Sequence, residues 1–307
     1  MTAEMWRADA ARSGSSPGLA PTVAPELRWS WVGPRNQQAA PITAGSRVIV
    51  GGRDGLLRSL RADSGAPEWE VHVGGAIGAA IASADGRIYT GCEGGSVSCV
   101  DAASGSVRWR AEIGVPIGSA PLLADDRVIV AVGGTRPGMA GGGVAALALQ
   151  DGRLEWFHET EAGCLASAAY ADGAVAYASR NGELGCVNVT DGRPQWRAEG
   201  GGDRTGTPAI HAGTVVSDSG AGSVEAHRLR DGQLVWSFGL ARSAPMSSAA
   251  LGTGAAFIGG GDGHLYALDV ATGRPRWTVD RMGDQGWESF ASPTVVGDTV
   301  IVGCSDG

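Results

Sequence analysis

The 307-residue chain contains no lysine; all 24 of its basic residues are arginine. This excludes Schiff-base catalysis on a lysine and the lysine-dependent phosphate cradle of P-loop proteins. No apolar run approaches the roughly 20 residues of a membrane-spanning helix. The opening Met1 to Arg7 has no apolar segment of the signal-peptide kind. Basic stripes are missing as well, and the formal net charge is −8. Nucleic acid and anionic membrane surfaces are therefore not expected as partners. The five cysteines, Cys92, Cys99, Cys164, Cys186 and Cys304, form no CxxC pair. Neither a disulfide framework nor a zinc site is expected from them. Cys99 and Cys186 each lie ten residues before a regularly spaced tryptophan and read as small core residues. These absences together predict a cytoplasmic, soluble monomer without metal or cofactor.

Glycine, by contrast, is abundant at 51 residues. It follows no three-residue period, so it marks dense turns and not a collagen-like helix. Tryptophan supplies the order. Trp29, Trp69, Trp109, Trp156, Trp196, Trp236 and Trp277 are separated by 40, 40, 47, 40, 40 and 41 residues. A tight turn precedes six of them: Ser64-Gly65, Ser104-Gly105, Asp151-Gly152, Asp191-Gly192, Asp231-Gly232 and Thr272-Gly273. Nine residues before the same six stand Leu60, Val100, Leu147, Val187, His227 and Leu268, apolar in every copy but one. Several short strands in a fixed period near forty predict an all-β propeller of four-stranded antiparallel blades. Seven blades are expected, with eight as the alternative. Strands from both ends would share the closing blade: Ser292 to Val302 would give its inner strands and Glu26 to Trp31 its outermost one. Residues 1–25 read as a lead-in segment and 26–307 as a single propeller domain.

The stretch Ala267 to Trp277 resembles the tryptophan-docking motif of PQQ-like repeats, and Val100 to Trp109 matches nearly as well. Such repeats occur in quinoprotein dehydrogenases and in outer-membrane assembly lipoproteins of the BamB type. The opening Trp6 to Gly14 is similar to their lead-in. The resemblance implies that each tryptophan of the ladder docks its indole on the neighbouring blade. A large flat ring with one N–H donor suits that task. The adjacent cysteine pair of the dehydrogenases and the lipidated cysteine of the assembly proteins are both missing from this sequence.

Function is expected where the copies differ. Most connections from one blade to the next are built of Gly and Ala. Three or four are not. After Trp156 come His158, Glu159 and Glu161. Asp203 and Arg204 follow Trp196, and Arg281, Trp287 and Glu288 follow Trp277. Arg35 follows Trp29. In a propeller these crossings would gather at one mouth of the channel. His158, Glu159, Asp203, Arg204 and Glu288 could there act as acids, bases and a cation. Arg35, Glu161, Arg281 and Trp287 could hold a small polar ligand. The favoured reading is a non-enzymatic binding scaffold for a protein or peptide partner, or for such a ligand. The alternative is a cofactor-independent isomerase, cyclase or lyase.

Overall fold

A computed structural model describes residues 3–303, apart from Leu19, Pro21, Ala24, Pro25 and the segments 34–38, 134–139, 241–246 and 281–290. Every element among the described residues is a strand, in seven sheets. The chain divides into two compact units. One holds Met1–Trp6 and Pro21–Ala168, the other Arg7–Ala20 and Ala169–Gly307.

Three sheets form the first unit. Sheet 1 is Ile42–Ala44, Arg47–Gly51, Leu56–Arg61 and Pro67–His72. Sheet 2 is Ala82–Ala84, Arg87–Gly91, Ser96–Asp101 and Val107–Glu112, with Ala3–Glu4 added beside its first strand. Sheet 3 is Leu122–Ala124, Arg127–Gly133, Ala140–Ala148 and Leu154–Ala162. Ile49, Leu57, Ile77 and Ile88 build the core between sheets 1 and 2. Tyr89, Val97, Val130 and Leu147 build it between sheets 2 and 3.

Four sheets form the second unit. Sheet 4 is Ala169–Ala171, Ala174–Ala178, Leu184–Asn188 and Pro194–Ala198. Sheet 5 is Ala209–His211, Thr214–Asp218, Ser223–Arg228 and Leu234–Gly239. Sheet 6 is Ala250–Gly252, Ala255–Gly259, His264–Asp269 and Pro275–Asp280. Sheet 7 has three described strands, Ser15–Ser16, Thr294–Val296 and Thr299–Ile301. The two ends of the chain do share this sheet, but not through the expected strand. Ser15–Ser16 pairs parallel with Thr294–Val296. Glu26–Trp31 forms no strand among the described residues.

The regular tryptophans explain why sheet follows sheet. Trp69 donates its indole N–H to the Ala102 carbonyl at 3.2 Å, and Trp109 does the same to Leu149 at 3.3 Å. Trp196 reaches Leu229 at 2.6 Å and Trp236 reaches Val270 at 2.7 Å. Trp29 bonds to Ala62 at 3.0 Å although it lies outside any strand. Each of these five rings lies on the turn glycine of the sheet it meets. At Gly105 (φ +74°) a β-carbon would stand 2.7 Å from the Trp69 ring. The turn thus needs glycine twice, for its left-handed backbone and for the ring above it. Trp277 differs: it is 41% exposed and leans on Phe257 of its own sheet, ring centroids 5.7 Å apart.

The lead-in is woven into the sheets. It meets the central residue of the first strand in all seven. In the first unit Glu4 pairs with Ser83 and its carboxylate accepts from the Thr43 hydroxyl, while the Leu123 amide faces the Met5 sulfur at 3.2 Å. In the second unit four amides donate to it in succession. Tyr170 donates to Ala10 at 2.7 Å, Ile210 to Ala11 at 2.8 Å, Leu251 to Ser13 at 2.6 Å and Val295 to Gly14 at 2.8 Å.

Candidate functional site

The crossing after Trp156 is a strand and not a loop. His158, Glu159 and Thr160 extend the last strand of sheet 3 and pair with Val144, Gly143 and Gly142. The surplus in the 47-residue interval therefore lengthens a hairpin. Gly142 and Gly143 sit where a side chain would strike the backbone of Val132 and His158. His158 is half-buried, and Glu159 and Glu161 are exposed on this outer strand.

Asp203 and Arg204 lie in the second unit, between sheets 4 and 5. They take opposite roles. Asp203 is half-buried and bridges to Arg180 at 3.1 Å. Arg204 is fully buried. Its Nε donates to the Gly182 carbonyl at 2.7 Å, one terminal nitrogen to the Asp218 carbonyl, and the other to Glu225 at 2.9 Å. A guanidinium spent in this way ties three places in the one chain together. Its donors face backbone oxygens and a carboxylate, not an open site.

Glu225 also accepts from His227 Nε2 at 3.2 Å, and His227 Nδ1 faces the Gly232 carbonyl at 3.0 Å. Trp196 stacks over the imidazole at 6.4 Å, 13° from parallel. The His227 ring and the Arg204 guanidinium hold the Glu225 carboxyl below its ordinary range. Nearby, burial pushes the Asp218 carboxyl up to about 6. Its oxygens accept from the Thr205 amide and the Ser217 hydroxyl, both at 3.3 Å. Sequence reading missed Glu225, Asp218 and Arg180. The one available signal was His227, the polar exception in an apolar column.

Arg35, Arg281, Trp287 and Glu288 lie outside the described residues, as does Cys304. The other four cysteines are buried. Burial raises the thiols of Cys99 and Cys186 to about 11 and about 12, so they stay protonated and inert. No cluster of three or more metal-ligating side chains occurs among the described residues.

Two cavities border the lead-in. One of about 430 Å³ in the first unit is lined by Glu4, Arg47, Ser83, Asp85 and Arg87. A larger one of about 610 Å³ belongs to the second unit, with Asp9, Ser13 and Ser15 on one side and Asp172, His211 and Thr253 on the other. Asp9 holds Ser13 through both its amide and its hydroxyl, at 2.9 and 2.5 Å. Arg12 is fully buried, and desolvation lowers its guanidinium to about 9.

The profile of the family described as outer membrane protein assembly factor BamB matches residues 53–207, 140–277 and 180–307. The matches overlap because one repeat recurs along the chain. This chain belongs to the BamB family. A curated relative, outer membrane protein assembly factor BamB of Shewanella oneidensis, is 25% identical over 131 residues. These make up 39% of this chain and 33% of that protein, so the match spans a third of the relative's length. The crystal structure of BamB from Moraxella catarrhalis superposes with a TM-score of 0.70 at 18% identity, over 88% of this chain and 83% of that one. A quinohemoprotein alcohol dehydrogenase from Pseudomonas putida HK5 gives 0.80 at 14% identity, over 99% and 70%. At such identities the likeness speaks for the fold alone, a β-propeller of PQQ-like repeats.

Family membership corrects the expected cytoplasmic location. The BamB family is described by outer membrane protein assembly, and that overturns a placement drawn from a missing apolar segment.

Proposed function

We propose that the chain is a non-catalytic scaffold that binds a protein partner in outer membrane protein assembly, the task for which its family and curated relative are named. One observation carries this reading. Of the eleven large apolar side chains exposed among the described residues, seven lie on the last strands of sheets 2, 3, 5 and 6. They include Phe157, Leu234, Val235, Trp277 and Val279. Those strands are sheet edges, with one row of backbone N–H and C=O groups left for another chain. Apolar side chains beside such a row suit a partner strand that adds to the sheet. The polar crossing residues contribute less: His158 is in a ladder and Arg204 is buried.

Photo-crosslinkers at Val235 and Val279, in cells that make the protein naturally, test the reading. Both positions should yield protein adducts, while Thr253 on a first-strand turn should not. Equal labelling at all three, or none at the two edge positions, would end it.

A further inference from the structure

Four first strands of the second unit present one central amide each, and these form a row. Tyr170, Ile210, Leu251 and Val295 donate to Ala10, Ala11, Ser13 and Gly14 at 2.6–2.8 Å. The recognition is almost wholly main-chain, so it asks for an extended segment and not for particular side chains. Small side chains suffice, and Ala10-Ala11-Arg12-Ser13-Gly14 supplies them on either side of Arg12.

Several features oppose the lead-in in its own seat. Arg7, Ala8 and Arg12 have φ of +64°, +74° and +53°, left-handed values that residues with a β-carbon adopt at a cost. Two like charges, Arg7 and Arg12, lie within six residues, Arg12 fully buried and Arg7 half-buried and donating to the Arg12 and Ala249 carbonyls. One face of the segment, at Asp9, Ala11, Ser13 and Ser15, borders the 610 Å³ cavity. The cavity runs beside the segment, whose Arg12, Ser13 and Gly14 are themselves buried.

We propose that the amide row of Tyr170, Ile210, Leu251 and Val295 is a binding site for an extended polypeptide with small side chains, occupied in cis by Ala10–Gly14 and exchangeable with a second such segment. The site is distinct from the outer sheet edges. It deepens the scaffold reading by naming a second mode of partner binding, and it can fail without that reading failing.

Native-state hydrogen exchange on the full chain is the test. The four amides should exchange together, at least about tenfold faster than the second strands Ala174–Ala178 and Thr214–Asp218, through an opening smaller than global unfolding. A synthetic peptide of residues 3–17 should slow that exchange in a saturable way. The variant Asp9→Ala, which frees Ser13, should speed exchange further and bind the fluorescent peptide more tightly than the parent chain. Exchange of the four amides only with the second strands would overturn the proposal. So would a released row that the peptide neither protects nor binds. Val235→Lys and Val279→Lys on the outer edges should leave all these readouts unchanged, which separates the two modes.

Discussion

The indole of Trp236 covers Gly273 so closely that a β-carbon there would meet the ring at 2.5 Å. Gly273 also has φ +68°. The two penalties can be separated, because Gly86 has φ +71° with nothing within 4 Å. Gly86→Ala should cost only the backbone penalty, about 1 kcal/mol. Gly273→Ala should cost about 3 kcal/mol or more, since the ring must also move. Urea unfolding of the two variants checks the difference, and equal losses would show that the ring yields freely.

Truncating the tryptophans should also sort them. Trp109→Ala removes a ring packed between sheets 2 and 3 and should cost roughly 3–5 kcal/mol. Trp277→Ala removes a ring that is 41% exposed and should cost under about 1.5 kcal/mol. Calorimetric melting of the pair is the measurement.

Glu225 neutralises a guanidinium that water does not reach. Glu225→Ala should therefore destabilise by roughly 3–5 kcal/mol, because Arg204 would stay buried without its carboxylate. Adding Arg204→Met should recover much of the loss. Chemical denaturation of the single and double variants tests whether the pair acts as a unit.

Asp218 sets a pH dependence of definite sign. Burial raises its carboxyl from 3.8 to about 6, so the folded chain holds the proton more tightly than the unfolded one. Its stabilising contribution is complete below about pH 4 and is lost as the pH rises through about 6. Asp218→Asn should flatten this part of the stability profile. At pH near 7.5 it should stabilise by on the order of 2 kcal/mol. A series of melts from about pH 3.5 to 7.5 reads both effects.

The repeat was legible in the sequence because its causes recur. A tryptophan, a turn glycine and, in all but one copy, an apolar strand position return in six copies, and the sheets stand where that spacing puts them. Residues 158–162 were misread because polarity suggested a loop. Their pairing is set by Gly142 and Gly143 across the hairpin. The Arg204–Glu225–His227 cluster was half visible. His227 broke a column, but its partner lies on an alternating strand where a glutamate is unremarked. The lacing of the lead-in had no side-chain signature, since amides of Tyr170, Ile210, Leu251 and Val295 make the bonds. Sequence pattern reports side chains, and contacts made by backbone alone escape it.

That lacing also bears on how the protein is made. Gly14 meets Val295, a partner 281 positions later in the chain. In chain order the lead-in precedes all of its described seats, and Val295 is the last of these. Until Val295 is in place the finished sheets carry an unfilled row of donors, and the lead-in carries unsatisfied carbonyls. Contacts of such long sequence separation form slowly, and the waiting edges are prone to capture by other chains. Chains truncated before Val295 should therefore be the form most dependent on a chaperone.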